Sequence, residues 1–180
     1  MKGKKGIIRA NQKKQERNSD ADKLDQICIA LASIGRNFQR EVTLVFNRAD
    51  PDYKIGELVF EGLNVPSKYN DQKLYQKKNC DIVVTVIPKE DDTDTAKKLY
   101  IELDGEAIHG VCEGELSIDQ KKTRDRNLIY ERAGLQWFAI NEALAKFTGF
   151  KNCWGDLSAF IVMSWIQKFV SIGDINHQKS

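Results

Sequence analysis

The chain has 180 residues, of which 41% are hydrophobic and 30% are charged, and its formal net charge is +2. This length fits one compact domain with a single core, and the composition is ordinary for a soluble globular protein. The longest apolar run, AFIVMSWI at residues 159–166, is too short to cross a bilayer, which excludes a membrane-spanning helix. Because the net charge is nearly neutral, the distribution of charge says more about partners than its total.

Residues 1–18 form a basic segment that we expect to be a flexible arm. Within it, MKGKKGIIRANQKKQER carries seven Lys and Arg residues and a single acid, Glu16. Such a segment is drawn to polyanions, so it favours DNA as a partner and allows RNA. A solubilising tail without a partner is the alternative. The candidate nucleic-acid contacts in the arm are Lys4, Lys5, Arg9, Lys13 and Lys14.

Residues 19–175 are expected to form a single folded domain. A first helix is predicted by SDADKLDQICIALASIGRNF, because Leu24 and Ile27 begin an apolar pattern at helical spacing and Gly35 is placed to end it. Two strands are then predicted by EVTLVFN and GELVFEGL. The next segment, NVPSKYNDQKLYQKKN, mixes lysines with tyrosines, which suits phosphate contacts and base stacking or, alternatively, a solvated loop. Its candidate nucleic-acid contacts are Lys77 and Lys78.

Two further strands are predicted to form an antiparallel hairpin that carries three acids. The first strand is CDIVVTVIP, with Asp81 at its entrance, and the turn is DDTDTAKK. The second strand is LYIELDG. Because side chains alternate along a strand, Tyr100, Glu102 and Asp104 share one face of it.

The rest of the chain predicts a helix, a strand and a last helix. The first of these is DQKKTRDRNLIYERAG, with Leu128 and Ile129 facing inward and Gly134 at its end, and the strand LQWFAIN follows. The last helix, within CWGDLSAFIVMSWIQKFVSI, is too broadly apolar for one surface face, so it completes the core or forms a homodimer interface. Its large apolar residues are Trp154, Phe160, Trp165 and Phe169. Together these elements indicate an α/β domain with a central mixed sheet flanked by helices.

The three acids of the hairpin predict a metal site. Asp81, Glu102 and Asp104 would repel one another if all were ionised together. Mg²⁺ takes oxygen ligands, often from one or two carboxylates with waters and phosphate oxygens, so a bound ion would relieve the repulsion. Mg²⁺ is therefore the expected cofactor, and Mn²⁺ should substitute for it. The alternative is an acidic strand end that is solvated or paired with nearby lysines.

Several motifs occur together between residues 79 and 142. They are CD before a hydrophobic strand, IELDG after a turn, the nearby His109, and TRDRNLIYERAGLQWFAI. This combination resembles the PD-(D/E)XK, or restriction-endonuclease-like, nuclease superfamily, and more narrowly the branch that contains very-short-patch-repair endonucleases. The resemblance implies a restriction-endonuclease-like core and hydrolysis of phosphodiester bonds.

The resemblance also implies roles for individual acids. Asp81 matches the first metal-binding aspartate of the superfamily, and Glu102 matches the acid of the (D/E)XK motif. Asp104 stands where the motif has lysine, so this chain departs from the pattern there. We expect Asp104 to become a further metal ligand.

The missing cation and the remaining roles fall on residues that follow the acids. Lys121 or Lys122 on the next helix would return the positive charge, and Arg124 and Arg126 are further candidate nucleic-acid contacts. His109 is similar in placement to the short-patch-repair histidine. There it would act as a general acid or base or orient a water, unless it is a buried structural histidine.

The sequence thus predicts a metal-dependent endonuclease that acts on DNA. The alternatives are a catalytically weak or inactive protein of the same fold that binds nucleic acid or a protein partner, and an RNA-directed endonuclease. An intracellular location, cytoplasmic or with nucleoid or nuclear DNA, is expected because the first residues lack the apolar stretch of a signal peptide. Free thiols are favoured over a zinc site, because no CxxC pair links the four cysteines. These are Cys28, Cys80, Cys112 and Cys153.

Overall fold

A five-stranded mixed sheet forms the centre of the fold in the computed structural model, which describes residues 20–49, 54–86, 96–104 and 118–177. Its strands are β1 (Asn37–Ala49), β2 (Lys54–Gly62), β3 (Tyr75–Val86), β4 (Lys97–Leu103) and β5 (Trp137–Ile140). They lie side by side in the order β2-β1-β3-β4-β5. The first four strands pair antiparallel, and β5 lies parallel to β4. The predicted α/β class and the β3–β4 hairpin are confirmed.

Helices cover both faces of this sheet. They are α1 (residues 20–33), α2 (Ile118–Arg132), α3 (Glu142–Phe147) and α4 (Trp154–His177). The first helix ends as predicted at Gly35, where φ is 68° and the N–H of Arg36 donates to the carbonyl of Leu31 at 3.0 Å. The second ends before Gly134, whose φ is 69°. Both glycines take the left-handed conformation that ends helices at low cost.

Two hydrophobic clusters hold the layers together. The first lies between the sheet and helices α1 and α4, and the second between the sheet and α2. β4 contributes side chains to both clusters, because its side chains alternate between the two faces of the sheet. Leu99 and Ile101 belong to the first cluster and Tyr100 belongs to the second. Glu102 therefore faces α2, as the alternation of side chains predicts.

The alternation changes phase in the middle of β1 and β3. Phe38 packs on the first cluster, but Val42 belongs to the second, and the residue between them that takes a left-handed φ of 51° is Glu41. On β3, Ile82 belongs to the first cluster, whereas Cys80 belongs to the second. Residues two apart in a regular strand share a face, so both strands are twisted locally at this point. Asp81 lies at this twist, directly before the residue at which β3 begins to pair with β4.

Two predictions about local structure require correction, and one helix was not predicted. Asp81 is the seventh of the 12 residues of β3 rather than its first, because Tyr75–Asn79 already pair with β1. Lys77 and Lys78 therefore lie in a strand, not in a loop. α3 was not predicted, although Asn141 caps it by accepting a hydrogen bond from the N–H of Leu144 at 2.8 Å.

The last helix completes the core through part of its apolar surface. Trp154 and Trp165 are buried in the first cluster, whereas Phe160 is exposed. The side chain of Phe169 lies outside the described residues. The homodimer stays a prediction. No helix in the described part of the chain is long and apolar enough to span a membrane.

Several predictions, including those on the cysteines, fall partly within the described residues and partly outside them. Cys28, Cys80 and Cys153 are free thiols, as expected. Cys112, His109, the DDTDTAKK turn and the basic arm lie outside the described residues.

Candidate functional site

Asp81 is fixed against the end of β4 by its side chain. The registered pairs of β3 with β4 run to Ile82 and Ile101. Beyond them, the N–H of Leu103 donates to Oδ2 of Asp81 at 2.7 Å. This bond ties the first acid to the strand that carries the second, so Asp81 and Glu102 lie on adjacent strands at the same end of the β3–β4 ladder.

Glu102 is a buried carboxylate, only 3% exposed. Its Oε1 accepts a hydrogen bond from the hydroxyl of Tyr130 at 2.6 Å, and its Oε2 lies 3.4 Å from Nη1 of Arg126. Tyr130 and Arg126 are four residues apart on α2 and so share one face of that helix. The packing of α2 on the sheet therefore places a hydroxyl and a guanidinium on Glu102.

Asp104 holds the same guanidinium in a two-pronged ion pair. Its Oδ1 lies 2.7 Å from Nη1 of Arg126, and its Oδ2 lies 3.1 Å from Nη2. The two side chains are each 13% exposed. The N–H of Asp104 donates to the carbonyl of Ile140 at 2.9 Å, so the end of β5 positions this acid. Bidentate pairs of this kind are among the stronger and more directional polar contacts in proteins.

The environment disfavours the ionised forms of two of the acids. Burial raises the pKa of Glu102 to about 7, although Arg126 and the hydrogen bond from Tyr130 oppose the rise and the other acids add to it. Burial also raises the pKa of Asp81, against the hydrogen bond from Leu103 and the charge of Arg126. A cation bound between these carboxylates would stabilise their ionised forms.

A cation that lies beside Glu102 and Asp104 is Arg126, which the sequence indicates only as a candidate nucleic-acid contact. The sequence carries one indication of this position. Arg126 and Tyr130 are four residues apart and lie close to the inward-facing Ile129, so the helical spacing turns both toward the sheet. Lys121 and Lys122, which are predicted to supply the positive charge, are both exposed. Lys122 lies four residues before Arg126 and so belongs to the same helix face, whereas Lys121 does not.

A second basic residue close to the acids is Lys78. It is half-buried on β3, three residues before Asp81. Burial lowers its pKa, a shift that the carboxylates of Asp125 and Glu102 oppose and Arg126 reinforces. Its neighbour Lys77 is exposed and donates to Oδ1 of Asn70 at 2.8 Å. The two lysines thus differ. Lys78 interacts electrostatically with the acids of the site, whereas Lys77 lies on the surface.

The structure brings the predicted acids Asp81, Glu102 and Asp104 to the same end of the β3–β4 ladder, together with the predicted nucleic-acid contact Arg126. Arg124 is exposed on α2. Among the described residues, no group of three or more His, Cys, Asp or Glu is arranged to hold a metal ion. No protein-family model, curated protein or solved structure matches this chain.

Proposed function

We propose that the chain is a metal-dependent endonuclease that hydrolyses phosphodiester bonds in DNA, on a restriction-endonuclease-like core. The observation that carries the proposal is the placement of the half-buried Asp81 and the buried Glu102 on adjacent strands, at the same end of the β3–β4 ladder. The order of elements supports the core. The strands of Asp81 and Glu102 are followed by α2 and then by β5, whose Ile140 carbonyl meets the backbone of Asp104.

The chemistry of these two acids suits a hard divalent ion. Asp81 uses Oδ2 for the N–H of Leu103, and no described residue donates a hydrogen bond to its Oδ1. Oε2 of Glu102 makes a long contact, 3.4 Å, to Nη1 of Arg126. Mg²⁺ is commonly held by one or two carboxylates with waters and substrate phosphate, and Mn²⁺ accepts the same oxygen ligands. When bound, the ion would activate a water and stabilise negative charge on the phosphate.

We propose a positioning role for Asp104 instead of the expected metal ligation. Both of its carboxylate oxygens hold Arg126. The guanidinium thereby lies beside Glu102, and we propose that it takes the part that the lysine has in the (D/E)XK motif. A fixed cation there would stabilise charge that develops on the phosphate, which is worth most in a partly buried site. Asp104→Asn should then lower the cleavage rate by releasing Arg126.

A second candidate function is nucleic-acid or protein binding without efficient catalysis. The ion pairs of Arg126 with Glu102 and Asp104 favour it, since they already compensate two of the acids. An RNA-directed endonuclease uses the same metal chemistry. An intracellular location, with access to nucleic acid, is part of the proposal.

Incubation of the purified chain with supercoiled plasmid, branched DNA and single-stranded RNA tests these alternatives. Each substrate is compared in Mg²⁺ and in EDTA. The proposal predicts Mg²⁺-dependent cleavage of at least one DNA substrate by the wild type and none by Asp81→Asn. Cleavage of RNA alone selects the RNA-directed alternative. Binding without cleavage of any substrate selects the inactive one.

A further inference from the structure

A second polar site lies at the other end of β3. There a cleft of about 520 Å³ opens beside β1 and the short 3-10 turn at Ser67–Tyr69. All of the described residues that line it are basic, amide-bearing or aromatic, and none is acidic. They include Arg48, Tyr69, Asn70, Tyr75, Gln76 and Lys77.

The Nε donor of the Arg48 guanidinium has no acceptor among the described residues at this cleft. Its Nε is buried and makes no hydrogen bond within the described part of the chain. The backbone of the same residue is fixed, because its N–H donates to the carbonyl of Leu74 at 2.8 Å. A buried donor on a charged group is costly to leave unsatisfied, so this geometry favours a ligand that carries acceptor oxygens.

The rest of the cleft supplies further donors and two aromatic rings. Nζ of Lys77 donates one of its three hydrogens to Oδ1 of Asn70, at 2.8 Å. The rings of Tyr69 and Tyr75 meet edge to face with centroids 5.0 Å apart. The hydroxyl of Tyr69 is already used, because it donates to the carbonyl of Val59 at 3.1 Å. Two cations with aromatic rings nearby suit a phosphate attached to a nucleoside.

We propose that this cleft binds a phosphate group through Arg48 and Lys77. Guanidinium groups match the oxygens of phosphate and satisfy them with paired N–H donors. The proposal rests on the endonuclease function only for the source of the phosphate, which is then a nucleic-acid strand outside the scissile bond.

The cleft is too far from the acids to share in the chemistry. Lys77 and Tyr75 lie four and six residues before Asp81 on β3, which corresponds to roughly 13 and 20 Å at about 3.3 Å per residue. A strand held at both places would be anchored several nucleotides from the bond that is cut. The cleft would thus set the position of the substrate rather than its reactivity.

The test measures binding in EDTA, where no cleavage occurs. Isothermal titration of the wild type with inorganic phosphate, a nucleoside monophosphate and a short DNA oligonucleotide is repeated with Arg48→Met. Loss of the guanidinium should weaken binding of all three by about tenfold or more. Lys73→Met is the matched control. Lys73 is an exposed basic residue on the connection that leads into β3, and it does not line the cleft. It should bind phosphate like the wild type.

Each outcome of this titration has a defined meaning. Equal phosphate affinity of wild type and Arg48→Met, or no phosphate binding at all, overturns the proposal. Should Arg48→Met fail to fold, Lys77→Gln replaces it with the same expectation. Tighter binding of the oligonucleotide than of inorganic phosphate assigns the cleft to a strand, and equal binding assigns it to free phosphate. Asp81→Asn should keep this phosphate binding even though it abolishes cleavage, so the two proposals fail separately.

Discussion

Replacing Glu102 by glutamine should remove a pH-dependent loss of stability from the metal-free chain. Burial raises the pKa of Glu102 from 4.5 to about 7. Between these values the folded chain binds more protons than the unfolded chain, so the free energy of unfolding falls as the pH rises. At about 1.4 kcal/mol per pKa step, ionised Glu102 lowers the stability by about 3 kcal/mol once the pH exceeds 7. Glutamine has no such charge to bury.

Denaturant titrations followed by tryptophan fluorescence in EDTA, at about pH 5 and about pH 8, measure this effect. The wild type should lose up to about 3 kcal/mol more between the two conditions than Glu102→Gln does. Glu57→Gln is the control for removal of one negative charge, because Glu57 is exposed on β2. The same pH dependence in wild type and Glu102→Gln would refute the reasoning that burial dominates the titration of Glu102.

Three further predictions concern the cations. Arg126→Gln and Asp104→Asn should be non-additive, with a coupling free energy of about 1–3 kcal/mol in a double-mutant cycle of unfolding, and additive effects would argue against the ion pair. Lys78→Gln should slow single-turnover cleavage more than the exposed Lys73→Gln, because the charge of Glu102 acts on Lys78, and equal rates would remove Lys78 from the site. Deleting residues 2–17 should weaken DNA binding and flatten its salt dependence, whereas an unchanged slope would make the arm a bystander.

The secondary structure of the site could be predicted because it depends on local patterns. Alternation along β4 is enough to put Tyr100 and Glu102 on one face and Ile101 on the other, and the clusters confirm it. Gly35 and Gly134 ended their helices as predicted, since a left-handed residue is a local requirement. The polar, lysine-rich residues at the start of β3 are typical of a loop, but they pair with β1.

The composition of the site could be predicted only in part, because it depends on packing between distant segments. Asp104 and Arg126 are 22 residues apart, and their ion pair forms only when α2 packs on the sheet. The hydrogen bond of Tyr130 to Glu102 has the same origin. A count of acids and bases along the chain does not determine which of them meet. The lysines predicted to supply a cation, Lys121 and Lys122, lie on the same helix as Arg126, and their role stays a prediction.

Binding of Mn²⁺ tests most directly the claim that Asp81 and Glu102 hold a divalent ion. Free Mn²⁺ is followed by electron paramagnetic resonance during titration of the wild type, Asp81→Asn, Glu102→Gln and Asp71→Asn. Asp71 is a matched control, because its carboxylate also accepts one backbone N–H, from Lys73 at 2.8 Å, but lies on an exposed connection. The account predicts that wild type and Asp71→Asn bind Mn²⁺ alike and that the other two variants bind it at least about tenfold more weakly. Equal binding by all four proteins, or by none, would contradict it.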